Sequence, residues 1–116
     1  MKVFKTDQMV PYDCDDTLVM WGLEDKSKDI PIPDPYIKGM TNFVTPHEKH
    51  IELLKKHKAR GMTIVVWSAG GVEWAEAVVK ALKLQDYVDA VFSKPSRYVD
   101  DLPCTEWMGN RVYIKD

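Results

Sequence analysis

Read for its apolar and polar positions, the chain divides into short segments with clear punctuation. Met9–Asp13 is a brief apolar stretch that ends on a carboxylate, which predicts a strand. Met62–Trp67 is a continuous, β-branched apolar run, the pattern of a strand buried on both faces. After Ser68-Ala69-Gly70-Gly71, a turn, Val72, Ala75, Val78, Val79 and Leu82 recur at helical spacing. An earlier helix is announced by Thr45-Pro46-His47-Glu48. Thr45 suits the N-cap, Pro46 the first helical position and Glu48 the third, a capping box. That helix is expected to run to about Arg60, with Ile51, Leu54 and the stem of Lys55 inward and Gly61 as its stop. Val88–Phe92 and Tyr98–Val99 read as short strands, and Arg111–Ile114 as a last edge strand.

Residues 18–44 break this rhythm. Five of the seven prolines fall at Pro11 or between residues 31 and 46, and together with Gly39 they forbid a helix there. An irregular flap, with room for one hairpin, is expected instead, and connections of this length often serve as lids. The series of strand, flap, helix, strand, helix and strands predicts an α/β fold: a single Rossmann-like domain over residues 1–116, with a mainly parallel sheet and flanking helices. Ligands in such sheets bind beyond the carboxyl ends of the strands, which directs attention to Asp13, Ser68 and Asp100.

Composition narrows the classes. Hydrophobic residues make up 45% and charged residues 29%, the balance of a folded globular chain. Sixteen Lys and Arg against eighteen Asp and Glu leave a net charge of −2, which argues against binding through a strong basic field but not against a nucleic-acid end as substrate. The longest apolar run is far short of a membrane span, no signal-peptide core is visible, and two cysteines are too few for a disulfide framework. A cytoplasmic protein with no membrane partner is expected.

The chemistry concentrates in Asp13-Cys14-Asp15-Asp16-Thr17. Three carboxylates in four positions repel one another unless a cation lies nearby. A second pair, Asp100-Asp101, also follows a short apolar segment, and Ser68 ends the best strand. If one sheet edge gathers them, the result is an oxygen-rich Mg²⁺ site.

Asp13-Cys14-Asp15-Asp16-Thr17-Leu18, Ser68, Lys94 and Asp100-Asp101 resemble the four motifs of the haloacid dehalogenase-like phosphatases, in order, over most of the chain. The resemblance implies that Asp13 is a nucleophile forming an aspartyl-phosphate, and that Asp15 is first acid, then base. It implies Mg²⁺ held by Asp13, the Asp15 carbonyl and Asp100, with Asp101 close by, and phosphate bound by Ser68 and Lys94. Thr17 is expected to pin the turn, whose successive N–H groups would cradle phosphate. The resemblance makes the first strand central, where Pro11 would delete a ladder bond. Lys94 lies only six residues before Asp100; one extended strand could not bring both to the site, so either the segment folds back or Arg97 replaces Lys94.

About fifty residues separate the first motif from Ser68, too few for a cap domain once the helix and strand are counted. A small capless phosphomonoesterase follows, open to a nucleotide, a nucleic-acid end or a sugar phosphate, or completed by a neighbouring subunit in a homo-oligomer. The alternatives are a phosphotransferase and a non-catalytic phosphate-binding module that keeps the fold. His47, His50 and His57 share one helix without a further ligand, so an exposed helix face is the expectation rather than zinc. Trp67 and Trp74 read as core, Cys14 as a small buried side chain, and Trp21 as either packing or substrate-facing.

Overall fold

The computed structural model describes residues 1–6 and 8–115. It is an α/β structure with two small sheets and two α-helices. Strands β1 (Met9–Asp13), β5 (Thr63–Ser68) and β6 (Ala90–Ser93) form a parallel sheet in the order β1-β5-β6. β5 is its centre, with Ile64, Val65 and Val66 all buried, as its unbroken apolar run requires. β1 is an edge in this sheet, which explains how Pro11 is accommodated: opposite Val65, it needs hydrogen bonds on one side only.

The flap is more ordered than its prolines suggest. β2 (Val19–Met20), β3 (Ile30–Pro33) and β4 (Thr41–Pro46) make an antiparallel sheet in the order β2-β4-β3. No helix interrupts it, and β3 with β4 forms the anticipated hairpin. Pro31 and Pro33 alternate along an edge strand, so their missing N–H groups fall on one side of it, while Ile32 and Val44 turn into the core.

Helix α1 (Glu48–Ala59) starts later than the capping box predicts. Thr45 and Pro46 are the last residues of β4, where Thr45 Oγ1 donates to Asp29 (2.6 Å). His47 is the N-cap instead, its Nδ1 accepting from His50 N–H (3.2 Å). Strand pairing with Val19 and Met20 has overridden a local capping preference. The other end is as expected: Gly61, at φ +85°, closes a Schellman motif in which Gly61 N–H reaches Lys58 O and Met62 N–H reaches His57 O. Helix α2 (Val72–Ala81) buries Trp74, Ala75, Val78 and Val79 against the sheet. It ends in the same motif with Lys83 in the left-handed position, its N–H on Lys80 O and that of Leu84 on Val79 O.

Past β6 the expectations fail. Tyr98–Val99 lies outside both sheets with both residues exposed, and among the described residues only one short 3₁₀ turn (Cys104–Glu106) follows. Arg111–Ile114 is no edge strand either. It runs as a strap across α1, held by two histidines rather than by a neighbouring strand. No helix among the described residues is long and apolar enough to cross a membrane.

Candidate active site

Three adjacent parallel strands deliver three of the expected residues to one sheet edge. In register, Asp13 stands beside Trp67, the residue before Ser68, and Ser68 beside Ser93, the residue before Lys94. Lys94 N–H extends the ladder by one bond to Ser68 O (2.8 Å). Its Nζ then stands 4.0 Å from Asp13 Oδ1, the cation that the crowded carboxylates require. Lys94, not Arg97, therefore faces Asp13.

After β1 the chain turns tightly. The N–H groups of Thr17, Leu18 and Val19 all converge on Cys14 O, and Asp16 N–H bonds Val19 O. These donors face inward, so the expected phosphate cradle is not built from them. The turn places Asp16 at φ +59°, a left-handed conformation that aspartate tolerates better than most residues. Thr17 Oγ1 donates to Asp13 Oδ2 (3.1 Å), tying the turn back to the carboxylate. Cys14 is fully buried beneath it. Desolvation, then the charges of Asp13 and Asp15, push its thiol up to about 12, which removes it as a nucleophile at neutral pH.

Asp15 is held by two indoles. Its Oδ1 accepts from Trp21 Nε1 and from Trp74 Nε1, each at 2.9 Å. Trp74, read in the sequence as core, is buried yet spends its one polar atom on this contact. With both donors on Oδ1, the proton of the acid form belongs on Oδ2.

Ser68 is 1% exposed, its Oγ accepting from Gly70 N–H (3.0 Å), so it faces the β5–α2 turn rather than open solvent. That turn is also gripped from the flap. Tyr36, between β3 and β4, donates its hydroxyl to Gly70 O (2.6 Å), with Glu73 Oε2 3.2 Å away. Gly71 sits at φ +105°, where an L side chain is strained, and a Cβ there would also displace the Tyr36 hydroxyl.

The histidine helix differs most from expectation. His47 and His50 are buried, not exposed, and their rings stack at 3.9 Å. His47 Nε2 donates to Ile114 O (2.9 Å), and Ile114 N–H donates to His50 Nε2 (2.8 Å). His50 Nδ1 then donates to Thr17 O (2.7 Å), while Tyr113 OH donates to Asp16 O (2.9 Å). The strap thereby braces the Asp13–Thr17 turn. Only the helical spacing of His47 and His50 hinted at this; the role of Ile114 is main-chain and leaves no sequence signal. His57 Nδ1 accepts from Tyr12 OH (2.6 Å), and desolvation, with Arg60 second, holds its pKa below the usual histidine value.

A cavity of about 690 Å³ opens beside Asp13 between the free edge of β1, α1 and residues 108–113. Asp15, Asp16, Thr17, Lys94 and Arg111 also line it.

Asp100 and Asp101 are not brought here. Both are exposed, and Asp100 Oδ1 accepts from Leu102 N–H (3.0 Å) in a local turn. Among the described residues, no three His, Cys, Asp or Glu side chains stand together as a metal-binding group. Mg²⁺, however, keeps several waters and commonly uses one or two carboxylates beside a phosphate. The Asp13 carboxylate and the Asp15 carbonyl are oxygen donors of that kind. The carbonyl stays outside the Asp15–Val19 bridge, whose bonds are made by Cys14 O and Asp16 N–H. This partial set fits a hard cation shared with a phosphate.

Comparison of the chain with protein-family models, with curated proteins and with solved structures gives no match.

Proposed function

We propose that the chain is a Mg²⁺-dependent phosphomonoester hydrolase working through an aspartyl-phosphate, a single Rossmann-like domain of the haloacid dehalogenase-like kind. The observation that carries this reading is the convergence of Asp13, Asp15 and Lys94, with Lys94 Nζ 4.0 Å from Asp13 Oδ1 at the carboxyl end of a parallel sheet. A binding module would need the cation but not a second carboxylate oriented by two indoles.

In the first half-reaction an Asp13 oxygen attacks phosphorus and the ester P–O bond breaks. The departing oxygen takes the proton from Asp15 Oδ2, while Trp21 and Trp74 hold Oδ1. Lys94 offsets charge on the transferring phosphoryl group. In the second, Asp15, now ionised, removes a proton from water. That water attacks phosphorus, releasing inorganic phosphate and regenerating the Asp13 carboxylate. Mg²⁺ held by Asp13 and the Asp15 carbonyl would reduce repulsion between nucleophile and phosphate.

The test is phosphate release from ethyl phosphate and p-nitrophenyl phosphate, with Mg²⁺ and with EDTA. Mg²⁺-dependent release from both is expected. Metal-independent release, or none, would sink the reading.

A further inference from the structure

Arg111 is a cation of the cavity wall that this mechanism leaves unused. It opens the strap, and its guanidinium rests over the Tyr113 ring, 5.8 Å from the centroid. Tyr113 is itself fixed, donating its hydroxyl to Asp16 O (2.9 Å) and standing edge-on to buried His50. Arg111 is therefore tied, through its platform, to the turn that carries Asp13. Among the described residues, however, no carboxylate or carbonyl oxygen pairs with the guanidinium. The carboxylates sharing the cavity have other partners. Asp13 has Lys94 and Thr17, Asp15 has the two indoles, and Asp16 Oδ1 accepts from Trp21 N–H (3.2 Å). The charge of Arg111 is uncommitted.

The sheet order separates the two cations of the cavity. Lys94 reaches Asp13 across β5 from the end of β6, whereas Arg111 arrives on the strap, beside the free edge of β1. Lys94 is the cation next to the nucleophile and so serves the transferring phosphoryl group. From there the cavity follows β1 back to Met9, and about 690 Å³ holds more than a phosphate: it has room for the alcohol portion of an ester. We propose that Arg111 is a specificity-determining residue that binds a second anionic group, a carboxylate or a further phosphate, on that alcohol portion. The proposal rests on the phosphomonoesterase reading above.

The chemistry of the wall favours an anion over an uncharged polar group. A guanidinium presents parallel N–H donors that match either a carboxylate or a phosphate, and its charge roughly doubles the strength of each bond. Met9, Val10, Leu53 and Met108 make much of the remaining wall apolar, where an unpaired anion is costly. An ester carrying a second anion gains Arg111 as a partner, while an ester of a neutral alcohol leaves it unmatched. Stacking on Tyr113 has restrained the side chain in advance, which lowers the cost of ordering it.

The experiment measures kcat/KM for three esters on one linker: propyl phosphate, 3-(phosphonooxy)propanoate and propane-1,3-diyl bisphosphate. The native protein should favour at least one of the two doubly anionic esters over propyl phosphate by about tenfold or more. Whichever carries the preference tells carboxylate from phosphate. In Arg111→Gln the preference should shrink to within about threefold, with Arg111→Lys between the two, since it keeps the charge but not the fork. No preference in the native protein overturns the proposal, as does one that survives Arg111→Gln. So do equal losses on all three esters in Arg111→Gln, which would put Arg111 on the shared phosphoryl group instead. A second arm needs no turnover. Calorimetric titration of Asp13→Asn with Mg²⁺ should show the same tenfold preference in binding, and adding Arg111→Gln should remove it. That preference without turnover by the native protein would keep the Arg111 site and sink the hydrolase reading; turnover without it would do the reverse.

Discussion

Two acidic runs, Asp13–Asp16 and Asp100–Asp101, each follow a short apolar segment, yet they meet opposite fates. The first ends a five-residue strand paired along its length with β5, and its turn is tied down by Cys14 O, Thr17, two tryptophans and the strap. The second follows Tyr98–Val99, two exposed residues with no strand beside them, and Asp100 serves only a local turn. The lesson is that carboxylates become a site when their supporting main chain is fixed by long-range pairing. Two apolar residues bury too little to bring that about.

The sharpest way to break the comparison is Asp13→Asn. The amide is nearly isosteric but a poor nucleophile, so turnover on every phosphate ester should fall by at least about 10³-fold with the fold intact. Circular dichroism and phosphate release check this, and residual activity within tenfold would remove Asp13 from the nucleophile's role. Next comes Asp15→Asn, which separates the two carboxylates of the first run by leaving group. The loss should be about 10²–10⁴-fold on an alkyl phosphate, which needs its proton. With p-nitrophenyl phosphate the first step should survive, giving a burst of p-nitrophenolate and a trapped phosphoenzyme in rapid-mixing traces. Equal losses with no burst would make Asp15 structural.

A smaller effect is expected for Trp74→Phe, which deletes one of the two donors on Asp15. The cost should be several-fold in kcat on alkyl phosphates and negligible in the p-nitrophenolate burst. Asp100→Ala sharpens the contrast between the runs. Neither it nor Asp101→Ala should shift the Mg²⁺ concentration for half-maximal activity by more than about twofold, because both residues lie outside the site. A rise of about tenfold in either variant would bring the second run into the site.

The smallest effect is one of pH on stability. Folding holds the His57 pKa below its ordinary 6.5, so the unfolded chain takes up the proton first. Stability is therefore full at neutral pH, declines as pH falls past 6.5, and levels off below the lowered folded value. Asp89 adds a second loss at lower pH. Burial alone would raise its pKa, but hydrogen bonds from Lys58 and Ile64 outweigh that and hold it below 3.8. Thermal melts across this range should show both steps, and His57→Gln should remove the first alone.

Much of this arrangement is legible in the chain. The β-branched run at Met62–Trp67, the helical spacing from Val72 to Leu82 and the Gly61 stop each report a local preference that the fold follows to within a residue, because propensity, burial and turn chemistry agree there. Asp13 at a strand's end and Thr17 four residues on were equally readable, since strand and turn bring them together without help from elsewhere. What only the tertiary structure decided lies where distant segments compete with local rules. Pairing of β2 with β4 took Thr45 and Pro46 from the helix and made His47 the cap. The indole of Trp74 meets Asp15 across 59 positions, and Ile114 meets His50 across 64, contacts that no spacing within either segment encodes. The same holds for the failed strand at Tyr98–Val99. A strand exists only when a neighbour completes its hydrogen bonds, and two apolar residues state a preference without specifying that neighbour.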